Sequence, residues 1–374
     1  MKALEGLEFG RFPYAKLAHA VTSTIWVRGD EAYGILRRFR RPLAPGSAHR
    51  SSGAGSGPKA LARASTRLAR QSALSMRITT RTGTDMSTQA AASVVTANLK
   101  LAHSPDSDDA FMFYALATGK VRLPGVKFTH VLSDIESLNH AAHHETYDVT
   151  AVSFYGYAFV ADKYVLLNCG ASFGEGYGPI VVSSHPIKKT ELAGRRIAIP
   201  GTMTSSYLAL KLFEPNVGTV TMPFDKILDA VKAQEVEAGL LIHEGQLLFS
   251  ELGLHRVVDL GQWWQETTNL PLPLGGNAIR RSLGPELGMQ VARIIRESVS
   301  YALEHREAAL DYAMQFARDM DPALADKFIG MYVNRLTLDY GEEGRRAVQE
   351  LLSRGAAVGL VPSSFKVEFL PEAA

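Results

Sequence analysis

Val236-Glu237-Ala238-Gly239-Leu240-Leu241-Ile242-His243-Glu244 is a continuous apolar run that stops abruptly at an imidazole and a carboxylate. A strand buried on both faces reads as such a run, and in an open α/β sheet the carboxyl end of a strand borders the ligand crevice. The stretch therefore predicts a buried strand ending at His243, which becomes the candidate catalytic residue. An isolated strand-end histidine is equally accounted for by a hydrogen bond to a nearby carbonyl, so its neighbours in the fold have to decide.

Just upstream, Arg195 to Pro200 reads as a strand that delivers the turn Gly201-Thr202-Met203-Thr204-Ser205-Ser206, followed by a helix from Tyr207 to Phe213. Small hydroxyl residues at a helix start gather free N–H groups and side-chain donors around one point, an arrangement suited to a carboxylate. A strand from Val217 to Met222 and a helix from Asp225 to Gln234 then lead into the opening stretch. Two neighbouring strands thus end on one rim, one at an anion anchor (Thr204, Ser205, Ser206) and one at a candidate base.

Working outward, strand and helix patterns alternate from Asn98 with short turns, which predicts an α/β fold with a largely parallel sheet and helices on both faces. Leu99 to His103 is a strand, and Ser104-Pro105-Asp106-Ser107-Asp108-Asp109 turns it into a helix opening at Ala110. Those acids and serines are good helix caps, and they are equally placed to line a crevice. Further strands run from Val126 to Leu132 and from Asp148 to Ser153, with a helix from Asp134 to His144 between them. His140, His143 and His144 share that helix, but no further ligand is evident and no metal is expected. Phe154 to Tyr157 reads as core packing.

The glycine-rich loop Gly170 to Pro179 does not open a helix, which argues against a phosphate cradle and leaves close backbone packing or a plain crossover. Strands over Lys163–Asn168, Ile180–Ser183 and Arg256–Leu260, a short helix at Trp263-Trp264, and an extended return from Leu270 to Arg281 follow, with Gly275 and Gly276 at a hinge. From Pro285 the chain is helical, in four segments (286–305, 308–320, 322–334, 342–354) with apolar residues at i, i+3, i+4 and i+7.

The 374 residues carry 40 basic and 38 acidic side chains, too even a balance to suggest nucleic acid, and no stretch is long and apolar enough for a membrane span. The single cysteine, Cys169, rules out an intramolecular disulfide and zinc sites built on paired cysteines. From Arg37 to about Gln89 the chain is rich in arginine, serine, glycine and alanine and nearly free of acids, so residues 1–97 are read as a disordered or mis-assigned extension, with Met86 as the expected biological start. The acidic first residues disfavour a transit peptide, and no apolar core of a secretory signal follows Lys2, so a cytoplasmic location is expected.

The segment Glu237 to Glu244, together with Val258-Asp259-Leu260-Gly261-Gln262-Trp263-Trp264, Leu270-Pro271-Leu272-Pro273-Leu274-Gly275-Gly276, Tyr332-Val333-Asn334 and Gly341-Glu342-Glu343-Gly344, resembles the 1,4-dihydroxy-6-naphthoate synthase family of the futalosine route to menaquinone. The resemblance runs from about Leu99 to Val361. It implies a two-lobed, periplasmic-binding-protein-like (type II) fold with a cleft between lobes and C-terminal helices, lobe one being 98–181 plus 277–374 and lobe two 182–276. It also implies a cofactor-independent lyase that converts cyclic dehypoxanthine futalosine, a small carboxylate-bearing substrate, to 1,4-dihydroxy-6-naphthoate. The family's catalytic histidine falls on His243 as general base, and its substrate contacts fall on Ala151, Val152, Ser153, Thr204, Ser205 and Ser206.

One loop departs from the family. Members read Ser-Pro-Cys-Pro-Asn-Asp-Thr-Phe where this chain has Ser104-Pro105-Asp106-Ser107-Asp108-Asp109-Ala110-Phe111, and carboxylates facing an anionic substrate are unfavourable. Two other readings share the fold: a non-catalytic solute-binding protein, which would need export, and a chorismate dehydratase, against which the histidine–glutamate strand end and the double tryptophan argue.

Overall fold

The computed structural model describes residues 97–317 and 320–371. The expectation for residues 1–97 lies outside them except for Ala97, which opens the first strand. Five strands, β1 (Ala97–His103), β2 (Val126–Leu132), β3 (Val149–Ser153), β4 (Tyr164–Leu166) and β5 (Ser172–Gly174), belong to one sheet. The next five, β6 (Ile180–Ser183), β7 (Arg196–Ile199), β8 (Gly218–Thr221), β9 (Ala238–Leu241) and β10 (His255–Asp259), form a second, and β11 (Leu272–Arg280) returns to the first. The protein is therefore two-lobed, and the chain passes between lobes twice.

Strand order is β2-β1-β3-β11-β4 in the first sheet, with β5 also on β11, and β10-β6-β9-β7-β8 in the second. The strands fed by helical crossovers pair in parallel, β1 with β2 and β3, and β7 with β8 and β9. The strands that enter a lobe from the other one run antiparallel, β6 against β9 and β11 against β3. Both sheets are consequently mixed, where the alternation of strands and helices had suggested a largely parallel one. A chain arriving from the opposite lobe meets the sheet from the crevice side, and only the antiparallel direction is open to it without a further crossover.

The expected lobe breaks at 181/182 and 276/277 fall inside β6 and β11. Gly275 and Gly276 are accordingly not in a free hinge, for they pair with Ser153 and Val152 in the middle of the sheet. Gly276 is required by packing: a Cβ there would lie 2.6 Å from the Tyr340 hydroxyl and 2.9 Å from Phe154 Cζ.

The C-terminal helices hold this frame from behind. Pro285–Glu304 lies along the helix Ser107–Ala117, with Ser298 Oγ donating to the Met112 carbonyl (2.8 Å) and accepting from the Leu116 amide (3.2 Å). The helix Gly341–Ala357 packs on β11 of the first lobe and on the helix Ser205–Phe213 of the second. Its fully buried Val348, Leu351 and Leu352 share one apolar cluster with Leu208 and Leu210. Each such side chain contributes roughly 1.5–3 kcal/mol by leaving water. Trp264 is also core, its indole donating to the Pro271 carbonyl at 3.2 Å.

At the cleft the lobes are clasped by polar contacts. Glu136, at the start of the helix Ile135–Ala142, accepts from the backbone amides of Thr202 (2.8 Å) and Met203 (3.0 Å) in the turn after β7. Only glycine at 201 lets the carboxylate in, because a Cβ there would sit 2.2 Å from Glu136 Cδ. Asn139, one turn on, donates to the Met203 carbonyl (3.2 Å) while its oxygen accepts from the Ser153 amide (2.8 Å).

Hydrogen bonds to a charged group are worth about 1.5–3 kcal/mol each. Glu136→Ala is thus expected to favour separated lobes, seen as a larger radius of gyration by small-angle scattering. An unchanged radius would remove Glu136 from the clasp.

Candidate functional site

The cavity between the lobes encloses about 740 Å³ of empty space, open mouth included. All seven residues singled out in the sequence lie on its wall. Ala151, Val152 and Ser153 come from the end of β3, Thr204, Ser205 and Ser206 from the start of the helix after β7, and His243 from beyond β9. Among its lining residues there is no lysine or arginine.

The strand predicted to end at His243 stops two residues earlier, at Leu241. Val236 and Glu237 lie before its start, and Glu237 instead meets the guanidinium of Arg195 at 3.2 Å. His243 itself takes a left-handed backbone with φ 54°, a conformation that side-chain-bearing residues rarely adopt and that concentrates at functional sites. Its carbonyl accepts from the Gln246 amide at 3.2 Å, and the edge of its ring meets Phe224 at 4.9 Å between centroids. Gln246 and Tyr332 are themselves 2.7 Å apart. The amide orientation that satisfies every neighbour turns the Gln246 oxygen to the His243 N–H (3.2 Å) and its nitrogen to the Gly178 carbonyl. This scaffold fixes the imidazole from behind.

The imidazole partner comes from the other lobe. Asp106, just before the helix Ser107–Ala117, occupies the capping position yet makes no side-chain capping bond. Its Oδ2 instead lies 2.9 Å from His243 Nδ1, with 4% of the Asp106 side chain and 16% of the His243 side chain exposed. Asp109, in the first turn of that helix, reaches back to accept from the Ser104 amide at 2.7 Å, which ties down the loop. Sequence reasoning marked this loop as a crevice candidate but not as the histidine's partner, since the two stretches lie far apart in the chain.

Charge in the loop is partitioned. Burial alone would lift the Asp106 carboxyl, but the charge and hydrogen bond of His243 hold it well below the usual range. Burial, then the neighbouring charges of Asp106 and Asp109, raises Asp108 far above its ordinary value. Burial and the Asp106 charge push Asp109 up to about 8. For His243, burial disfavours the cation, and the charge and hydrogen bond of Asp106, aided by Glu244 and Asp109, more than offset it, so its pKa is raised above 6.5. Near neutrality the loop thus presents one carboxylate, already paired, and two carboxylic acids. A proton on Asp108 supplies a donor toward Asp106, and both residues have an otherwise unpartnered buried oxygen.

The remaining walls are neutral. Ser205 Oγ accepts from the Tyr155 amide (3.1 Å), which leaves its own proton free, and Thr204 Oγ1 caps its helix by accepting from the Tyr207 amide (3.2 Å). The Thr202 and Met203 amides, earlier in the same turn, are taken by Glu136. The donors left for the expected anchor are Ser205 and Ser206 with their own backbone amides, which lack intrahelical acceptors. The Asn277 oxygen and His243 Nε2 are buried and unpartnered. Among the described residues, donor atoms close enough for a metal occur at Asp106, Asp108 and His243, where the histidine Nδ1 is already engaged by Asp106. The three helix histidines do not converge, and neither Trp263 nor Trp264 lines the cavity.

Two α/β lobes joined by two crossings, with a small cavity holding a titratable pair between them, define a cleft protein of the periplasmic-binding-protein architecture. A crystal structure of the alkanesulfonate-binding protein SsuA from Xanthomonas axonopodis shares that fold at 13% identity, with a TM-score of 0.58 over 72% of this chain and 96% of that one. Residues 99–357 match the family described as menaquinone biosynthesis, and the chain belongs to that family. It is 43% identical over 266 residues to the 1,4-dihydroxy-6-naphthoate synthase of Thermus thermophilus, covering 71% of this chain and 97% of the relative. The synthase of the same name from Streptomyces coelicolor is 41% identical over 272 residues, 71% of this chain and 95% of the relative. A crystal structure of an Archaeoglobus fulgidus protein is 46% identical, with a TM-score of 0.68 over 71% of this chain and 98% of that one.

A carboxyl group that stays protonated in the fold but ionises in the unfolded chain costs stability as pH rises. For Asp109 this window runs from its ordinary 3.8 up to about 8. Asp109→Asn keeps an acceptor for the Ser104 amide and removes the titration. Its melting temperature relative to wild type is therefore expected to rise steadily between about pH 4 and pH 8. A pH-independent difference would show that Asp109 is ionised in the fold.

Proposed function

We propose that this chain is a carbon–carbon lyase that converts cyclic dehypoxanthine futalosine to 1,4-dihydroxy-6-naphthoate, with His243 as the general base. The observation that carries this reading is the division of labour at the imidazole. Nδ1 is engaged by Asp106 at 2.9 Å, so the unpartnered Nε2 is the nitrogen left to take a proton beside the cavity. The relatives' shared name, at 41–43% identity across most of their length, supports the choice of product.

In this mechanism the substrate carboxylate sits against Ser205, Ser206 and the N-terminus of their helix, where aligned N–H dipoles favour an anion without a cationic side chain. His243 Nε2 removes the proton on the carbon next to the substrate ketone, and the C–H electron pair passes into the enolate. The enolate re-forms its ketone as the adjacent ring carbon–carbon bond breaks, and the departing sugar-derived carbon takes that electron pair and the proton from His243 Nε2, which regenerates the base. Because Asp108 and Asp109 are held protonated, the acidic loop adds little repulsion toward an anionic substrate.

Incubation of the purified protein with cyclic dehypoxanthine futalosine should yield the naphthoate by mass spectrometry; binding without conversion would support the solute-binding reading instead. His243→Ala should keep the fold and lose turnover about 10²–10⁴-fold, the usual worth of a general base. Since the base works deprotonated and its pKa is raised, kcat/KM should climb with pH through a limb above 6.5. Ser205→Ala should raise KM more than it lowers kcat, as loss of an anchor that holds ground and transition states alike. An unchanged KM would free Ser205 from that role.

A further inference from the structure

We infer that Asp106 is the positioning residue of His243 and that the pair forms only when the lobes close, so that the working base is assembled across the cleft. This rests on the reading of His243 as base.

The two halves of the pair come from different sheets. Asp106 follows β1 in the first lobe, and His243 follows β9 in the second. Their 2.9 Å contact therefore bridges the lobes, on the same cleft as the Glu136 clasp on Thr202 and Met203. The Asp106 carboxylate makes no capping bond to its own helix and is directed to the imidazole instead.

A carboxylate at Nδ1 does two things for an imidazole. It fixes the tautomer with the proton on Nδ1 and the lone pair on Nε2, and it stabilises the imidazolium that forms when Nε2 takes a proton. In the reaction proposed above the proton moves from substrate carbon to Nε2, while the Nδ1 proton stays where it is. Asp106 exchanges no proton; it supplies charge and direction. The other groups that face the imidazole are Asp109 in the first loop, Glu244 next in sequence, and the Phe224 ring. Asp108 acts at one remove, as a neighbour of the Asp106 carboxylate.

Separation of the lobes would carry Asp106 away and return His243 to an ordinary, weaker base. An open cleft thus lacks its activated base, whereas lobes held together by the Glu136 clasp have it, along with the exclusion of water.

The test uses the full chain with ¹⁵N-labelled histidine, followed by NMR across pH without ligand, beside pH–rate profiles with cyclic dehypoxanthine futalosine. In Asp106→Asn the proton affinity of His243 should fall about 10- to 10³-fold, the effect of removing an opposite charge at contact distance. The Nδ1–H tautomer should lose its dominance, the acid limb of kcat/KM should move to lower pH, and its plateau should drop. A residue that merely held the loop in place would lower the plateau and leave the limb unmoved, and that result would overturn the inference. So would a His243 titration that is the same in wild type and Asp106→Asn, or one that changes when EDTA is added to wild type.

Glu136→Ala addresses closure. If scattering shows its lobes open, its His243 titration should shift in the same direction as in Asp106→Asn; open lobes with an unshifted titration would overturn the closure dependence. His243→Ala separates the two readings: full activity there would sink His243 as base, whatever the NMR shows of its pairing with Asp106.

Discussion

The hydrogen bond between Asp106 Oδ2 and His243 Nδ1, 2.9 Å long and nearly dry on the carboxylate side, ties together two loops that belong to different sheets. Much of the surrounding structure serves it. The left-handed turn at His243 lets the chain leave β9 and bring the ring toward the first lobe, and Gln246 and Tyr332 hold that turn from behind. On the opposite side Asp109 ties the loop down through the Ser104 amide, and the Asp106 carboxylate makes no capping bond to its own helix. A contact spanning two lobes requires both to be stiff, and the helices Pro285–Glu304 and Gly341–Ala357 provide this by packing across the first lobe and between the two.

Charge balance in the cavity follows from the same pair. Three carboxyl groups at one helix start would repel an anion if all were ionised, yet they are not equivalent. Asp106 keeps its charge because an imidazole shares it, and that charge, with burial, drives the protons onto Asp108 and Asp109. The loop is in effect one ion pair flanked by two neutral acids. The departure of this loop from the family pattern is therefore compatible with an anionic ligand, for a reason that depends on burial and distance and not on residue type.

A second carboxylate, Glu136, shows the same economy at the lobe junction. The turn after β7 offers backbone donors suited to an anion, and the first lobe fills two of them with its own side chain. Thr204, Ser205 and Ser206, where the anchor was expected, all line the cavity. Thr204 spends its oxygen on the helix cap, an outcome its position at a helix start makes common.

Sequence alone determined what short-range patterns encode. Apolar runs marked β3 and β9, a period of 3.6 marked the C-terminal helices, and hydroxyl residues before Tyr207 marked a helix start, because propensity, burial and capping act over a few residues. The family motifs around His243 and the double tryptophan added the fold and the lobes. Tertiary structure decided the rest. It set the antiparallel course of β6 and β11, because strand direction depends on which lobe the chain arrives from. It turned Gly275 and Gly276 from a hinge into strand positions paired with β3, with Gly276 packed against Phe154 and Tyr340. It also joined Asp106 to His243 across more than a hundred residues of chain, since no local pattern records which side chains two separately folded lobes will bring within hydrogen-bonding distance.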